Sequence, residues 1–248
     1  MKILAYFIGF PGTKRIDQFI QRNQALDFFE LMPAVDGRTL PIIFIESFFL
    51  EPFFKHQMKH KGSGWLGATI GCFLSHIKAV EAAEMNGADY VIVAEDDAVF
   101  RKDPRELILF MKEQRVDLLY LNDRMVPKGH SVDSSTRSVF ILTNENLTGT
   151  GAEAYILSRK GINGVLQLFN RGLKNRMPTG FDGFMQSFVI GQGKKANAPG
   201  RKSLDEWVRL RKSALLFEDI DLKVGVAIPS IAAHIDEGMS IINGGGAG

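Results

Sequence analysis

The chain has 248 residues, 45% of them hydrophobic and 23% charged, with a net charge of +2. This fits one large α/β domain and excludes a fibrous or disordered chain, and a balance so near neutral gives no general pull toward nucleic acid. The single cysteine, Cys72, leaves no internal disulfide and fits a reducing cytoplasm, and no apolar run approaches the ~18 residues of a membrane-spanning helix.

Residues 3–10 (ILAYFIGF) read as a first strand rather than the start of a signal peptide, because Pro11-Gly12 ends the apolar run at once. Thr13 is placed to cap a helix from about Lys14, with Ile16, Phe19, Ile20 and Asn23 at helical spacing. Residues 28–34 form a second strand, closed by a turn at Val35-Asp36-Gly37. The Phe-rich stretch 41–58 lacks a clean period and is expected to be a helical excursion over one sheet edge. A glycine-rich loop at 61–67 (KGSGWLG) then precedes an amphipathic helix over 68–85, whose stripe is Ile70, Phe73, Leu74, Ile77, Val80 and Ala83. Asn86-Gly87 ends it.

Residues 90–94 (YVIVA) are continuously apolar, as an interior parallel strand covered on both faces requires. The run breaks into Glu95, Asp96 and Asp97. A helix over 104–115 and a strand over 117–122 follow, then short strands at 139–142 and 154–157, and a helix over 158–170 capped by Ser158. From about Arg171 the pattern weakens into loops, one basic segment and a late strand at 224–228, with 244–248 as a flexible tail. Strands alternating with helices predict a single domain, residues 1–248, of βαβ units with right-handed crossovers.

Carboxylates at the C-terminal end of a buried strand lie where open α/β sheets form their ligand crevice. Three adjacent negative charges repel one another; a divalent cation removes the conflict, and hard oxygen ligands select Mg²⁺ or Mn²⁺. Residues i and i+2 of an extended chain share a side, which assigns Glu95 and Asp97 to the metal and Asp96 to ribose or sugar hydroxyls. A charged turn after a strand is the plainer alternative.

Four further segments carry candidates. Around GCFLSH (71–76), Gly71 and the preceding Gly67 would let backbone approach a ligand near a helix N-terminus, bringing Ser75 and His76 with them; a polar helix flank is the alternative. TGTGAEA (148–154) sets Gly149 and Thr150 in a small-residue wall that a sugar could approach, without a Walker lysine or Rossmann spacing. Asp182, beside Phe181 and Phe184, would be partly desolvated and raised toward a useful general base, or else closes an Asx-turn. His234 offers an imidazole near the metal, or is a structural histidine. Between Lys194 and Lys212, seven cations face two acids and interleave with Trp207, Val208 and Leu210, a segment suited to an anionic membrane leaflet or an acidic acceptor, or else a solvated surface stretch.

Together these segments resemble glycosyltransferase family 25, the lipooligosaccharide-type galactosyl- and glucosyltransferases whose relatives include collagen galactosyltransferases. The resemblance rests on the strand and basic turn from Ile8 to Arg15, on Ala34-Val35-Asp36-Gly37, on Gly71-Cys72-Phe73-Leu74-Ser75-His76, on 91–99 around the acids, on 149–156 with Ser158-Arg159-Lys160-Gly161 after it, and on Asp182 following a proline. The Gly71–His76 run combined with the acidic triplet is its specific part. It departs at Ile8-Gly9-Phe10-Pro11 and in the Phe-rich 41–54, and it fades beyond about Gly191.

The resemblance implies a GT-A-like (Rossmann-like) mixed sheet flanked by helices, a UDP-sugar donor (UDP-galactose most often), dependence on Mn²⁺ or Mg²⁺, and inversion at the anomeric carbon. Asp36 and Gly37 would lie near the uridine, Ser75 and His76 near the donor, and Asp182 would be the base; His234 as a metal ligand follows by analogy with related GT-A enzymes. The expected activity is transfer of a hexose to a lipooligosaccharide or lipopolysaccharide glycan. Residues 1–125 would bind the nucleotide sugar and 126–243 would face the acceptor. The expected setting is the cytoplasm, with peripheral contact to the inner membrane leaflet and no nucleic-acid partner. Two alternatives remain: a metal-dependent nucleotidyltransferase, which would form pyrophosphate, and a non-catalytic nucleotide-sugar-binding module.

Overall fold

Along β1 (Ile3–Gly9), Ala5 and Phe7 are buried on one face and Tyr6 and Ile8 on the other, so the strand is covered on both sides. The computed structural model describes residues 1–125, 138–143, 146–147, 151–190, 215 and 219–234. Gly149, Thr150 and the basic segment between Lys194 and Lys212 lie outside the described residues.

Next to β1 lie β2 (Glu30–Pro33) on one side and β3 (Tyr90–Glu95) on the other, both parallel to it. A short β4 (Ala98–Phe100) follows the acids. β5 (Leu118–Tyr120), β6 (Ser138–Ile141), β7 (Ala154–Ser158) and β8 (Val224–Ile228) complete a seven-stranded sheet of order β2-β1-β3-β7-β5-β8-β6 among the described residues. The mixed sheet expected from the sequence is therefore present, with two strands departing from simple βαβ repetition. β7 runs antiparallel between β3 and β5, and β6 antiparallel beside β8.

Helices cover both faces. On one, α1 (Lys14–Arg22) and a helix over Ile108–Gln114 bury Ile16, Phe19, Ile108 and Met111 against Phe7, Ile92, Leu119 and Ile156. Numbered in chain order, that second helix is α4; α2 (Ile42–Phe48) and α3 (Glu51–Met85) precede it, and α5 (Arg159–Asn175) and α6 (Phe181–Ile190) follow. The opposite face of the sheet is covered by α3, α5 and α6. The Ser158 hydroxyl accepts the Gly161 N–H (3.1 Å) to start α5, as its sequence position predicts, and donates to Asp117 (3.0 Å).

Two expectations are corrected. Residues 61–67 are not a loop: α3 runs through them and breaks at one residue, Gly62, whose φ of 82° and ψ of 173° suit glycine alone. Ser75 and His76 consequently sit well inside α3, beyond the break at Gly62 and away from that helix's own N-terminus. The stretch after Arg171 also holds a helix, α6, that begins beside Asp182; its side chains are nearly all buried, so no polar face marks its period.

The C-terminal ends of β1, β2, β3 and β5 meet the N-terminal end of β7 along one sheet edge. There, β9 (Ala232–His234) pairs antiparallel with β4. Among the described residues no helix is long and apolar enough to cross a membrane.

Candidate active site

Two cavities open along this edge. The first, about 90 Å³, lies between the end of β1, the loop 34–38 and α3; the second, about 340 Å³, lies between α3, the start of α6 and residues 124 and 153. Cys72, Glu95 and Asp97 belong to both linings and form the wall between them.

The loop of the first cavity is held by backbone packing. A Cβ on Gly37 would stand 1.9 Å from the Gly67 carbonyl oxygen, and one on Gly71 would stand 2.4 Å from that of Val35. The glycines thus let the loop lie directly on α3, a closer contact than the ligand approach expected of them. Ser75 locks the same contact: its hydroxyl accepts the Val35 N–H (2.8 Å) and donates to the Gly71 carbonyl (2.6 Å). Asp36, Gly37, Ser75 and His76 all line this cavity. The Asp36 carboxylate is bonded by the Arg38 guanidinium, which brings its pKa down to about 2.

At the acidic corner the chain leaves β3 and turns, so side-chain directions do not simply alternate. One Arg15 nitrogen lies 2.5 Å from Asp96 and 2.9 Å from Asp97. Burial pushes the Asp96 carboxyl up to about 6; Arg15 opposes the rise, while Asp97 and Glu95 add to it. Asp96 lines the first cavity alone, whereas Glu95 and Asp97 also reach the second. The carboxylate of Glu95 meets His76 Nε2 at 3.2 Å, and His76 Nδ1 meets the Tyr155 hydroxyl at 3.1 Å. His76 is buried and stacked on Phe181, ring centres 4.1 Å apart.

On the far wall of the second cavity, Asp182 stands in the first turn of α6 and accepts the Ala152 N–H. It is exposed to the cavity, but the surrounding protein and the nearby Glu95 raise its pKa; His76 and Arg124 counter this in part. Buried Glu153 pairs with Arg124 and accepts from Asn122 Nδ2 at 2.7 Å. Phe53, Trp65 and Phe181 supply aromatic wall.

A divalent cation fits the corner on donor chemistry. Glu95 and Asp97 present hard oxygens, and buried Asp96 and Asp97 share the Arg15 guanidinium, leaving negative charge in the corner. His234 reaches the neighbourhood through its backbone: it lies opposite Ala98 in the β4–β9 ladder, one residue beyond Asp97. Sequence reasoning gave no role to Arg15, Cys72, Arg124, Glu153 or Tyr155. For Arg15 a signal existed, since it closes the basic turn after the first strand.

A family model described as glycosyltransferase family 25 (LPS biosynthesis protein) matches residues 14–179, about two thirds of the chain and ending just before α6. The Mus musculus protein "Inactive glycosyltransferase 25 family member 3" is 29% identical over 103 residues, which are 39% of this chain and 17% of that protein. The chain thus spans about a sixth of that relative's length. Among solved structures, A197 from STIV aligns with a TM-score of 0.40 and 10% identity over 96% of this chain and 87% of its own. A glycosyltransferase involved in the glycosylation of the major capsid of PBCV-1 aligns with a TM-score of 0.39 and 10% identity, over 97% and 95%. Likenesses of this size say nothing about activity.

Proposed function

The chain belongs to glycosyltransferase family 25, and from that premise we propose that it is an inverting transferase moving a hexose, galactose first, from a UDP-sugar to a lipopolysaccharide-type glycan. The observation that carries this reading is the pair of cavities divided by Glu95, Asp97 and Cys72, with Asp182 across the second one. Donor and acceptor must meet at one reacting point, and residues that border both cavities would supply it.

In this reading residues 1–125 bind the donor. The loop of Asp36 and Gly37 holds the uridine, Ser75 keeps that loop seated, His76 orients Glu95, and Asp96 accepts from ribose hydroxyls. Gly149 and Thr150, outside the described residues, would flank the sugar. Glu95 and Asp97, joined by His234, would hold Mn²⁺ or Mg²⁺. The cation would supply positive charge to the departing diphosphate. Arg15, whose guanidinium lies 2.9 Å from Asp97, would add to that neutralisation.

Residues 126–243 would face the acceptor. Asp182 takes the proton of the acceptor hydroxyl, whose oxygen attacks the anomeric carbon as the bond to the diphosphate breaks. Its raised pKa brings the carboxylate nearer the operating range of a general base, and a base on the side of the sugar opposite the leaving group would give inversion. The basic segment between Lys194 and Lys212 would hold the protein on the cytoplasmic leaflet near a lipid-linked acceptor; vesicle co-sedimentation indifferent to salt would remove that part.

The test is Asp182→Asn assayed for transfer and, separately, for UDP-galactose binding. Transfer should fall by at least ~10²-fold while donor affinity holds. Equal loss of both would reduce Asp182 to a donor-site residue. A second reading, donor binding without transfer, is favoured by Arg15, which already neutralises part of the corner. UDP-sugar binding with neither hydrolysis nor transfer across a panel of glycan acceptors would select it.

A further inference from the structure

Cys72 and His76 stand one turn apart on α3, and Glu95 meets them from the end of β3. One ligand atom from each, a sulfur, a ring nitrogen and a carboxylate oxygen, lies within 4.8 Å of the others. Nε2 and the carboxylate oxygen are 3.2 Å apart. In a tetrahedral zinc site, bonds of about 2.0–2.2 Å set a nitrogen and an oxygen roughly 3.3 Å apart, so this pair already has the right spacing. The remaining ring nitrogen faces the buried Tyr155 hydroxyl at 3.1 Å, the kind of outer partner that fixes a ligating imidazole. Cys72 and Glu95 border both cavities, which gives an ion a way in and leaves a coordination position open.

The donor set differs in kind from the acidic corner. Mn²⁺ and Mg²⁺ favour oxygen donors, which dominate the corner even with His234 added, whereas a thiolate beside an imidazole selects zinc, which also stands above Mn²⁺ in general affinity. We infer that Cys72, His76 and Glu95 form a second cation site selective for Zn²⁺, and that filling it withdraws Glu95 from the hard-cation corner. Zinc binding stands on these three residues alone; its inhibitory consequence rests on the function proposed above. As the sulfur–zinc bond forms, the thiol proton passes to solvent. Zn²⁺ thereby acts as an antagonist of the divalent cation used in transfer, without entering the reaction.

Cobalt(II) titration of the full chain tests the inference through its spectrum. The wild type should bind one ion with a thiolate-to-cobalt charge-transfer band, displaced by Zn²⁺. Cys72→Ser, a single-atom change verified for folding by circular dichroism, should lose the band and lose more Zn²⁺ affinity than the roughly 10–100-fold typical of disturbing an outer partner. Tyr155→Phe should keep the band and fall within that range. A cobalt complex without the band, or equal Zn²⁺ affinity in Cys72→Ser, overturns the site. Mn²⁺ binding followed by electron paramagnetic resonance tests the sharing of Glu95: equimolar Zn²⁺ should release Mn²⁺ from the wild type and not from Cys72→Ser. Simultaneous binding of both ions overturns the competition. A chain that takes zinc with the band but binds no Mn²⁺ keeps the zinc site and removes the hard-cation reading instead.

Discussion

The guanidinium of Arg15 lies 2.5 Å from a carboxylate oxygen of Asp96, although burial still carries the Asp96 pKa up to about 6. Below about pH 4 this carboxyl is protonated in folded and unfolded chains alike. Between about 4 and 6 the folded chain holds a proton that the unfolded chain has released, so stability falls as pH rises and the loss is complete above about 6. At about 1.4 kcal/mol per unit, the fall amounts to roughly 3 kcal/mol. Urea denaturation in the presence of a chelator should show this slope, and Asp96→Asn should flatten it. An unchanged slope in the variant would assign it to another group.

Replacing Arg15 isolates the charge it neutralises. Arg15→Met leaves Asp96 and Asp97 buried without their cation and should cost about 3 kcal/mol in chelator, the lower end for breaking a buried pair. Millimolar Mn²⁺ should restore part of that loss, and restore more in the variant than in the wild type. Equal gains from Mn²⁺ in both proteins would mean that the ion binds away from this corner. Denaturation midpoints with and without Mn²⁺ give the comparison.

The loop–helix contact makes a separate prediction. Gly71→Ala would push a methyl group toward the Val35 carbonyl oxygen and the Gly37 nitrogen, both backbone atoms with little room to yield. Overpacking of this sort costs roughly 1–3 kcal/mol, and it should lift the loop bearing Asp36 off α3. Thermal unfolding should report the first effect, and weakened UDP binding by calorimetry the second. Full UDP affinity in a destabilised Gly71→Ala would separate the loop from the donor site.

Elements with a strong local signal are legible in the sequence. The stripe from Ile70 to Ala83 specifies its helix, the apolar run at 90–94 its buried strand, and β8 falls at residues 224–228 as expected. The misread elements lack such a signal. In KGSGWLG three glycines suggested a loop, but only Gly62 adopts a backbone conformation outside the helix; Gly67 instead packs against the loop of Gly37. In α6 (FDGFMQSFVI) the buried surface extends round the helix, which erases the period. The site shows the same division. Its acids stand next to one another in the chain, whereas their partners Arg15, His76 and, through His76, Tyr155 arrive from distant elements. Nothing in local pattern reports a contact made by folding.

The division of the edge into two cavities has its own consequence for kinetics. Trp65 lines the second cavity and not the first, while Arg38 lines the first and not the second. If the second receives the acceptor glycan, Trp65→Ala removes an aromatic wall worth about 1 kcal/mol, which raises the acceptor KM about fivefold and leaves donor affinity unchanged. Arg38→Ala should do the reverse: it frees Asp36 from its bidentate partner, loosens the loop on the donor side and raises the donor KM alone. Steady-state kinetics with each substrate varied in turn, on both variants, measure the split. A rise in both constants for either substitution would mean that the wall of Cys72, Glu95 and Asp97 does not separate the two substrates.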